Sequence, residues 1–183
     1  MIPKPLVVIV LVCAAGVVES CASTPDDSTQ PHLQVPNVDP AGFGNYVEAV
    51  FERRCASLDC HGQIARGMRL YSENGLRLPN DAGLTPGNGA TSIEEINANY
   101  IAIIGLQPEK VSALLANPQR TSDDVRTLLI LSKPLELERH KGGPALKLGE
   151  PAEECIVGWL LGDLQGQKAP ATQGLCLTGA KPP

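Results

Sequence analysis

The residues best suited to chemistry in this chain lie close together, between positions 55 and 62. Cys55 and Cys60 flank a short segment, and His61 follows the second cysteine directly. Two thiols with a histidine after the second one are typical of a c-type haem attachment site. Each thiol adds to one vinyl group of the porphyrin, and the neighbouring imidazole binds the iron as its proximal ligand. The sequence therefore predicts covalent haem c at Cys55 and Cys60, with His61 as an iron ligand.

The spacing of the two cysteines is longer than the two residues usual in such sites, because four residues separate Cys55 from Cys60. Both sulfurs must still reach vinyl groups that lie a fixed distance apart. We therefore expect Ser57, Leu58 and Asp59 to bulge outward. Gly62 has no Cβ, so the backbone after the histidine can turn away close to the cofactor.

An apolar segment at residues 6–18 matches the central region of a secretory signal peptide, and it is too short to span a bilayer comfortably. The stretch Val18-Glu19-Ser20-Cys21 resembles a bacterial lipobox, in which the cysteine becomes a lipidated N-terminus. Cleavage after Ser23 by an ordinary signal peptidase is the alternative. We expect residues 1–21 to be a signal peptide of the lipoprotein type. The protein is then exported to the periplasm or anchored at the outer membrane through a lipid on Cys21.

The remaining cysteines fit an oxidising compartment. Of six cysteines, two lie in the predicted signal region and two are assigned to haem. Cys155 and Cys176 then form a natural disulfide pair. An alternative with the same count places a second disulfide between Cys55 and Cys60 and has no cofactor.

The composition restricts the kind of partner. The net charge is −5, the sequence pI is about 5.2 and no basic run occurs, which argues against nucleic acid. Only 3% of the residues are aromatic, and a haem would supply much of the flat apolar volume that aromatic side chains otherwise provide. Arg53 and Arg54 are candidates to neutralise haem carboxylates, with a solvated surface position as the more ordinary interpretation.

The chain divides by composition into a tether, a domain and a tail. Residues 22–41 are rich in proline and small polar residues, which predicts an extended tether in which His32 is solvated. The folded domain is predicted at residues 42–166. Residues 167–183 are expected to be a C-terminal tail that the Cys155–Cys176 bond ties back.

Two predicted helices bound the domain. The first begins at Asp39-Pro40, an N-cap followed by proline at the first helical position, and it ends at the cysteine motif. The last begins at Glu150-Pro151. We expect it to run to Asp163 or Leu164 and to close at Gly166.

The segments between these helices are less regular. Residues 72–90 are crowded with Gly, Pro, Asn and Asp, which predicts a long surface loop. A helix begins at Ser92, where Glu95 completes a capping box, and another follows Pro108. Residues 122–132 are predicted to be buried, and their pattern leaves a helical or an extended state open.

In this order the segments resemble a cytochrome c-like domain of exported bacterial proteins, over about residues 43–165. The resemblance rests on Phe51 to Gly62, on Ser132 to Leu135 with His140 to Gly143, and on the final helix, which contains Trp159. It implies an all-α fold, a small helical domain with long irregular loops whose N-terminal and C-terminal helices pack together. It also implies that Cys55 and Cys60 are thioether positions and that His61 is the proximal ligand.

The ligand on the opposite face of the iron is open among three options. Methionine at that position raises the reduction potential, and a second histidine generally lowers it. Met68 follows His61 by only seven residues, a cramped crossing, so a core-filling role is favoured for it. His140 is remote in sequence and is followed by Gly142 and Gly143, so it can reach the opposite face, and we predict it as the second iron ligand. A vacant position is the third option.

The favoured function is a monohaem electron carrier that exchanges electrons with redox partner proteins, as a monomer and not as an enzyme. The sequence contains no Ser-His-Asp set, phosphate-binding glycine loop or histidine pair at metalloprotease spacing. A second hypothesis is an exported interaction or scaffold domain with disulfides in place of haem. A third is a zinc site formed by Cys55, Cys60, His61 and His140.

Overall fold

The structure is a computed structural model that describes residues 36–79, 83 and 89–181, all within one compact unit, Leu33–Pro183. In these residues the regular elements are helices, apart from one isolated bridge between Tyr71 and Leu76. The predicted all-α class is therefore confirmed. None of the helices in the described ranges is long and hydrophobic enough to cross a bilayer. The predicted signal peptide, the lipid on Cys21 and the solvated His32 lie outside the described residues.

The domain begins with three consecutive helical stretches, α1 (Pro40–Gly42), a π-helical stretch (Phe43–Val47) and α2 (Glu48–Arg54). The predicted N-cap is confirmed, because the Asp39 carboxylate accepts a hydrogen bond from the Gly42 N–H at 3.0 Å. One face of this run is apolar and buried. Its fully or almost fully buried side chains are Phe43, Val47, Val50 and Phe51. The run ends at Cys55, so it carries the cysteine motif into the interior.

Helix α7 (Pro151–Leu161) packs against the π-helical stretch near the N-terminus, as predicted for the first and last helices of the domain. Trp159 is buried, and the centroid of its ring lies 5.3 Å from the centroid of the Phe43 ring. Its indole N–H donates a hydrogen bond to the Val38 carbonyl at 3.1 Å. These contacts fix the start of the domain on its penultimate helix.

The predicted C-terminal end of this helix is wrong. Helix α7 ends at Leu161, before Asp163 and Leu164, because Gly162 adopts a left-handed conformation with φ of 86°. Such a residue directly after the last turn caps a helix. Gly166 instead begins a short 3-10 helix, Gly166–Lys168.

The C-terminal segment, predicted to be a tail, contains helix α8 (Ala169–Gly179), which packs antiparallel on α7. The predicted disulfide between Cys155 and Cys176 joins the two helices. The helices approach closely because a Cβ at Gly158 would lie 2.6 Å from the Thr172 side chain. A disulfide that closes a loop with a sequence separation of 21 stabilises a fold by about 3 kcal/mol.

Between these bounding elements, the described residues form four further helices. Helix α3 (Ile93–Ile104) has the predicted capping box of Ser92 and Glu95, and α4 is Pro108–Ala116. The sequence left the state of residues 122–132 open, and the structure shows two short helices there, α5 (Ser122–Arg126) and α6 (Leu129–Ser132). The Arg126 guanidinium holds α5 on α7 through the buried Glu153 carboxylate, at 2.8 Å.

One carboxyl group in the core is not fully paired. Glu48 is 4% exposed, and its Oε1 accepts a hydrogen bond from the Asn99 side-chain amide at 2.8 Å. Its Oε2 has no hydrogen-bond partner. Burial raises the pKa of Glu48 to about 7; the Asn99 bond opposes this rise, and the carboxylates of Glu52 and Glu95 add to it.

We expect the free energy of unfolding to fall as the pH rises from about 4.5 to 7. The pKa of Glu48 in the folded state is raised above the ordinary value of 4.5, so only the folded state holds this proton between the two values. The stabilisation is therefore complete below pH 4.5 and is lost as the pH rises through 7, by about 3 kcal/mol. Urea unfolding of Glu48→Gln should give a stability near that of the wild type at about pH 5 and about 2–3 kcal/mol higher at about pH 8.

Glu73→Gln is the matched control, because this nearby carboxylate is exposed and should leave the pH dependence unchanged. The prediction is wrong if Glu48→Gln loses as much stability as the wild type between the two pH values.

Candidate functional site

The cysteine motif forms a compact loop directly after α2. The His61 N–H donates to the Cys55 carbonyl at 2.9 Å, which closes the loop around the four intervening residues. Cys55 is buried and Cys60 is half-buried. Three of the four residues between them are exposed, namely Ser57, Leu58 and Asp59, so this part of the loop bulges outward as predicted.

Gly62 is required by the path of this loop. The Gly62 N–H donates to the Ser57 carbonyl at 2.9 Å, so the backbone folds back on itself here. A Cβ at position 62 would overlap the Ala56 carbonyl oxygen and lie 2.8 Å from the Ser57 carbonyl oxygen. Both neighbours are main-chain atoms and have little freedom to move.

We expect Gly62→Ala to destabilise the protein by about 3 kcal/mol, because the new methyl group forces the loop backbone apart. Thermal or urea unfolding measures the loss. Gly67→Ala is the matched control, since a Cβ there meets no atom within 4 Å and the position is exposed. Equal stabilities of the two variants would contradict this account of the loop.

His61 is oriented by the chain that follows it. Its Nδ1 lies 3.0 Å from the Met68 carbonyl, and the Leu70 N–H donates to the His61 carbonyl at 2.9 Å. Because a carbonyl only accepts, Nδ1 carries the proton and Nε2 keeps its lone pair. Burial lowers the pKa of His61, so the ring is neutral near pH 7. The imidazole is therefore a ready metal ligand through Nε2.

His140 is held in the same way on the loop after α6. Its Nδ1 lies 2.7 Å from the Gly143 carbonyl, so Nε2 is again the nitrogen with a lone pair. Gly143 turns this loop with φ of 75°, and a Cβ at Gly142 would lie 3.4 Å from the His140 ring. Gly143 therefore shapes the backbone beside the histidine, whereas a side chain at position 142 would make only an ordinary contact with the ring.

The two histidine rings lie opposite one another. Their centroids are 6.2 Å apart and their planes differ by 12°. Both rings line one cavity of about 190 Å³, together with Cys55, Met68, Leu106, Leu129, Ile130, Lys133 and Pro134. The structure therefore brings together the two histidines, the first cysteine and the methionine that the sequence singled out.

A second, more polar cavity of about 340 Å³ shares His61, Lys133 and His140 with the first. It is also lined by Asp59, Cys60, Arg66, Arg139, Lys141 and Gly142. Cys60 therefore faces this polar chamber, whereas Cys55 faces the apolar one. The combined site has an apolar side and a cationic side.

The cationic residues differ from those that the sequence suggested. Neither Arg53 nor Arg54 lines the two chambers, and Arg54 lies 3.6 Å from Glu150. Arg139 and Lys141 line the polar chamber instead. Sequence reasoning missed both, although they flank His140 directly and so share its loop.

Met68 contributes its main chain to the orientation of His61. Its carbonyl holds His61 Nδ1, on the opposite edge of the ring from the free Nε2. Its side chain is half-buried and lines the apolar chamber. The Met68 backbone therefore lies beside the Nδ1 edge of His61. This arrangement favours His140 over Met68 as the second ligand.

The state of the cysteines bears on the two alternative hypotheses. Cys55 and Cys60 are not bonded to each other in this structure, unlike Cys155 and Cys176. Burial, with a smaller effect from Cys60, raises the pKa of Cys55 to about 12, so the thiol is protonated in the free protein. The described residues contain no cluster of three or more His, Cys, Asp or Glu side chains arranged to hold a metal ion. The zinc site of the third hypothesis stays an alternative that the chemical test below distinguishes.

No family model, curated protein or solved structure matches this chain. Its function is therefore inferred from the chemistry of the site.

Proposed function

We propose that this chain is a c-type monohaem electron-transfer protein. Cys55 and Cys60 would hold the haem through thioether bonds, and His61 and His140 would bind its iron. The observation that carries the proposal is the pair of nearly parallel imidazoles that line one cavity with centroids 6.2 Å apart. Each has its Nδ1 engaged by a backbone carbonyl and its Nε2 available.

The separation of the two rings supports a single metal ion between them. An imidazole nitrogen binds a first-row metal at about 2.0–2.1 Å. The centre of the ring lies about 1.1 Å further on, because ring bonds of about 1.33 Å set that radius. Two such ligands on one iron have centroids about 6.3 Å apart, and the observed distance is 6.2 Å.

The positions of the two thiols support attachment at two points. Cys55 lines the apolar chamber, Cys60 lines the polar chamber, and His61 lines both. The two cysteines therefore border two chambers that share His61, so both would lie beside a cofactor that fills these chambers. The outward bulge of Ser57, Leu58 and Asp59 accommodates the two extra residues of the motif without filling that space.

The polarity of the site supports a cofactor that is apolar at one edge and anionic at the other. A porphyrin has apolar ring edges and two carboxylates. Leu106, Leu129 and Ile130 would cover the apolar edge. Arg139 and Lys141 would pair with the carboxylates, since both line the polar chamber.

The bound haem would supply one-electron exchange between the ferrous and ferric states. The chain's own residues set the conditions for it. The carbonyls of Met68 and Gly143 fix the two imidazoles, and apolar side chains limit access of water. Two histidine ligands generally give a lower potential than histidine with methionine. The partners are other redox proteins.

The disulfide between Cys155 and Cys176 supports the predicted export, because such bonds persist in oxidising compartments. The proposed location is the periplasm or the outer membrane. A lipid on Cys21 would provide the anchor.

The test is expression of the full chain, with its native signal, in cells that carry the haem-attachment machinery. We expect a pyridine haemochrome spectrum of c-type haem and a protein mass increased by one haem per chain. An unrelated c-type cytochrome produced in the same cells is the control for the machinery. Colourless protein with the mass of the polypeptide alone, beside a loaded control, overturns the proposal. A stoichiometric zinc ion in that colourless protein would favour the zinc alternative.

A further inference from the structure

Glu48 is a buried ionisable side chain that the proposed function does not use. It lies at the start of α2, is 4% exposed and does not line either chamber of the haem site. Its Oε1 is bonded to Asn99, whereas Oε2 has no partner. A buried carboxylate oxygen without a donor is costly, and protonation removes that charge. The cost of the unpaired charge therefore favours the protonated form of Glu48, whereas the hydrogen bond from Asn99 favours the ionised form.

The charges around Glu48 come mostly from carboxylates. Glu52 follows it by one turn on the same helix, and Glu95 faces it from α3. The Glu95 carboxylate is itself held by the Arg77 guanidinium at 2.8 Å. None of the hydrogen bonds and charge interactions described for Glu48 involves a cation.

The other packed elements add little charge. Helix α8 contains no Asp, Glu, Lys, Arg or His, and its cysteine is in the disulfide. Helix α7 contains Glu153 and Glu154, and both are paired with Arg126. The protonation of Glu48 is therefore governed by its burial, by Asn99 and by the Glu52 and Glu95 carboxylates.

Glu48 is linked to the haem loop through the interior. The Asn99 amide that bonds Glu48 also donates to the Tyr71 carbonyl at 2.8 Å, and its oxygen accepts from the Tyr71 N–H at 2.7 Å. The neighbouring Leu70 N–H donates to the His61 carbonyl at 2.9 Å. Glu48 also precedes Cys55 by seven residues, which is about 10 Å along a helix.

We propose that Glu48 is a proton-binding site coupled to the redox state of the haem. One electron passes from a redox partner protein to the ferric iron. Proton uptake from solvent accompanies the electron, up to about half a proton per electron for a tenfold change in proton affinity, and each Glu48 carboxylate that binds a proton becomes a neutral carboxyl group. Oxidation reverses both transfers. The inference rests on the proposed function, because it requires the haem.

Electrostatics gives the expected size of the coupling. Reduction adds one negative charge at the iron. At an effective dielectric constant of about 20, unit charges about 10–15 Å apart change each other's proton affinity by on the order of tenfold. Burial raises the pKa of Glu48 to about 7, so a change of this size alters its protonation near neutral pH.

The test is a spectroelectrochemical titration of the haem-loaded full chain between about pH 5 and pH 9. We expect the midpoint potential to fall with rising pH around neutrality. The fit should give a proton affinity at least threefold higher in the reduced than in the oxidised state. Glu48→Gln should abolish this dependence, and Glu48→Asp should move it to another pH range. Glu73→Gln, an exposed carboxylate in the same region, should keep the wild-type profile.

A redox-difference infrared spectrum of the wild type gives a second readout that needs no variant to fold. A carboxyl C=O band should appear on reduction and disappear on oxidation. A loaded protein whose potential is flat with pH, or a dependence that persists unchanged in Glu48→Gln, overturns the proton site and leaves the haem assignment intact. Colourless protein beside a loaded control overturns both.

Discussion

Replacing His140 with alanine is expected to change the haem iron from a six-coordinate, low-spin centre to a five-coordinate one. The reason is that His140 lines the same cavity as His61, with ring centroids 6.2 Å apart, and its Nδ1 is already engaged by the Gly143 carbonyl, which leaves Nε2 as the nitrogen that would bind the iron. Without it, the opposite face of the iron has no side-chain ligand. Optical and electron paramagnetic resonance spectra should show the change to high spin. The ferrous variant should also bind carbon monoxide, which the wild type should not.

Met68→Leu is the matched control for this result. Met68 lines the same chamber, but its contribution to the site is the backbone carbonyl that holds His61, and leucine keeps that carbonyl. The spectrum of Met68→Leu should therefore remain low-spin. A high-spin spectrum for Met68→Leu, with an unchanged one for His140→Ala, would transfer the ligand role to the methionine.

His140→Met tests the same position by replacing the proposed histidine ligand with methionine and measuring the midpoint potential. Histidine with methionine gives a higher potential than two histidines, so the midpoint should rise by on the order of 0.1 V or more. A six-coordinate product with an unaltered potential would contradict the assignment of His140 as a ligand.

Replacing both Cys55 and Cys60 with serine is expected to remove covalent haem completely. These two thiols border the two chambers of the site, and each forms one of the two thioether bonds in the proposal. Acid extraction into an organic solvent should leave the haem on the wild-type protein and remove it from the double variant. Each single variant should retain one bond, with a haemochrome band displaced toward that of a vinyl-bearing haem.

The matched control is the other cysteine pair. Cys155→Ser with Cys176→Ser should cost about 3 kcal/mol of stability through loss of the disulfide, and should keep covalent haem. Retention of covalent haem by the Cys55 and Cys60 double variant would overturn the attachment site. If the Cys155 and Cys176 variant also lacks covalent haem, the loss in the Cys55 and Cys60 variant is explained by impaired folding.

Much of the fold was accessible from local sequence signals. Asp39 followed by Pro40 marked the start of the first helix, and Ser92 with Glu95 marked the start of α3. These signals work because an N-cap is made by groups only three residues apart. The end of α7 was misplaced because two glycines compete for the cap, and only the backbone shows that Gly162 adopts the left-handed conformation.

The helix at Ala169–Gly179 was missed for a different reason. Its sequence is weakly amphipathic and contains glycine and proline, so little in it predicts a helix. Its stability comes from the disulfide and from close packing on α7, where Gly158 admits the Thr172 side chain. Packing of this kind depends on a neighbour that local periodicity does not reveal.

The sequence by itself determined which thiols and which imidazole lie together in the cysteine motif. Cys55, Cys60 and His61 are adjacent along the chain, so their relation is fixed by a few covalent bonds. It also identified the disulfide pair, because two cysteines remained once the others had been assigned. Local spacing was sufficient for the first prediction, and the count of cysteines for the second.

Only the tertiary structure showed which residues from distant segments line the same cavities as the cysteine motif. His140 is remote from His61 in sequence, and its position opposite that ring depends on how α6 and the following loop pack against the cysteine loop. The same packing placed Arg139 and Lys141, and not Arg53 and Arg54, along the polar chamber. Contacts between distant segments arise from the burial of many side chains together, and no single stretch of sequence encodes them.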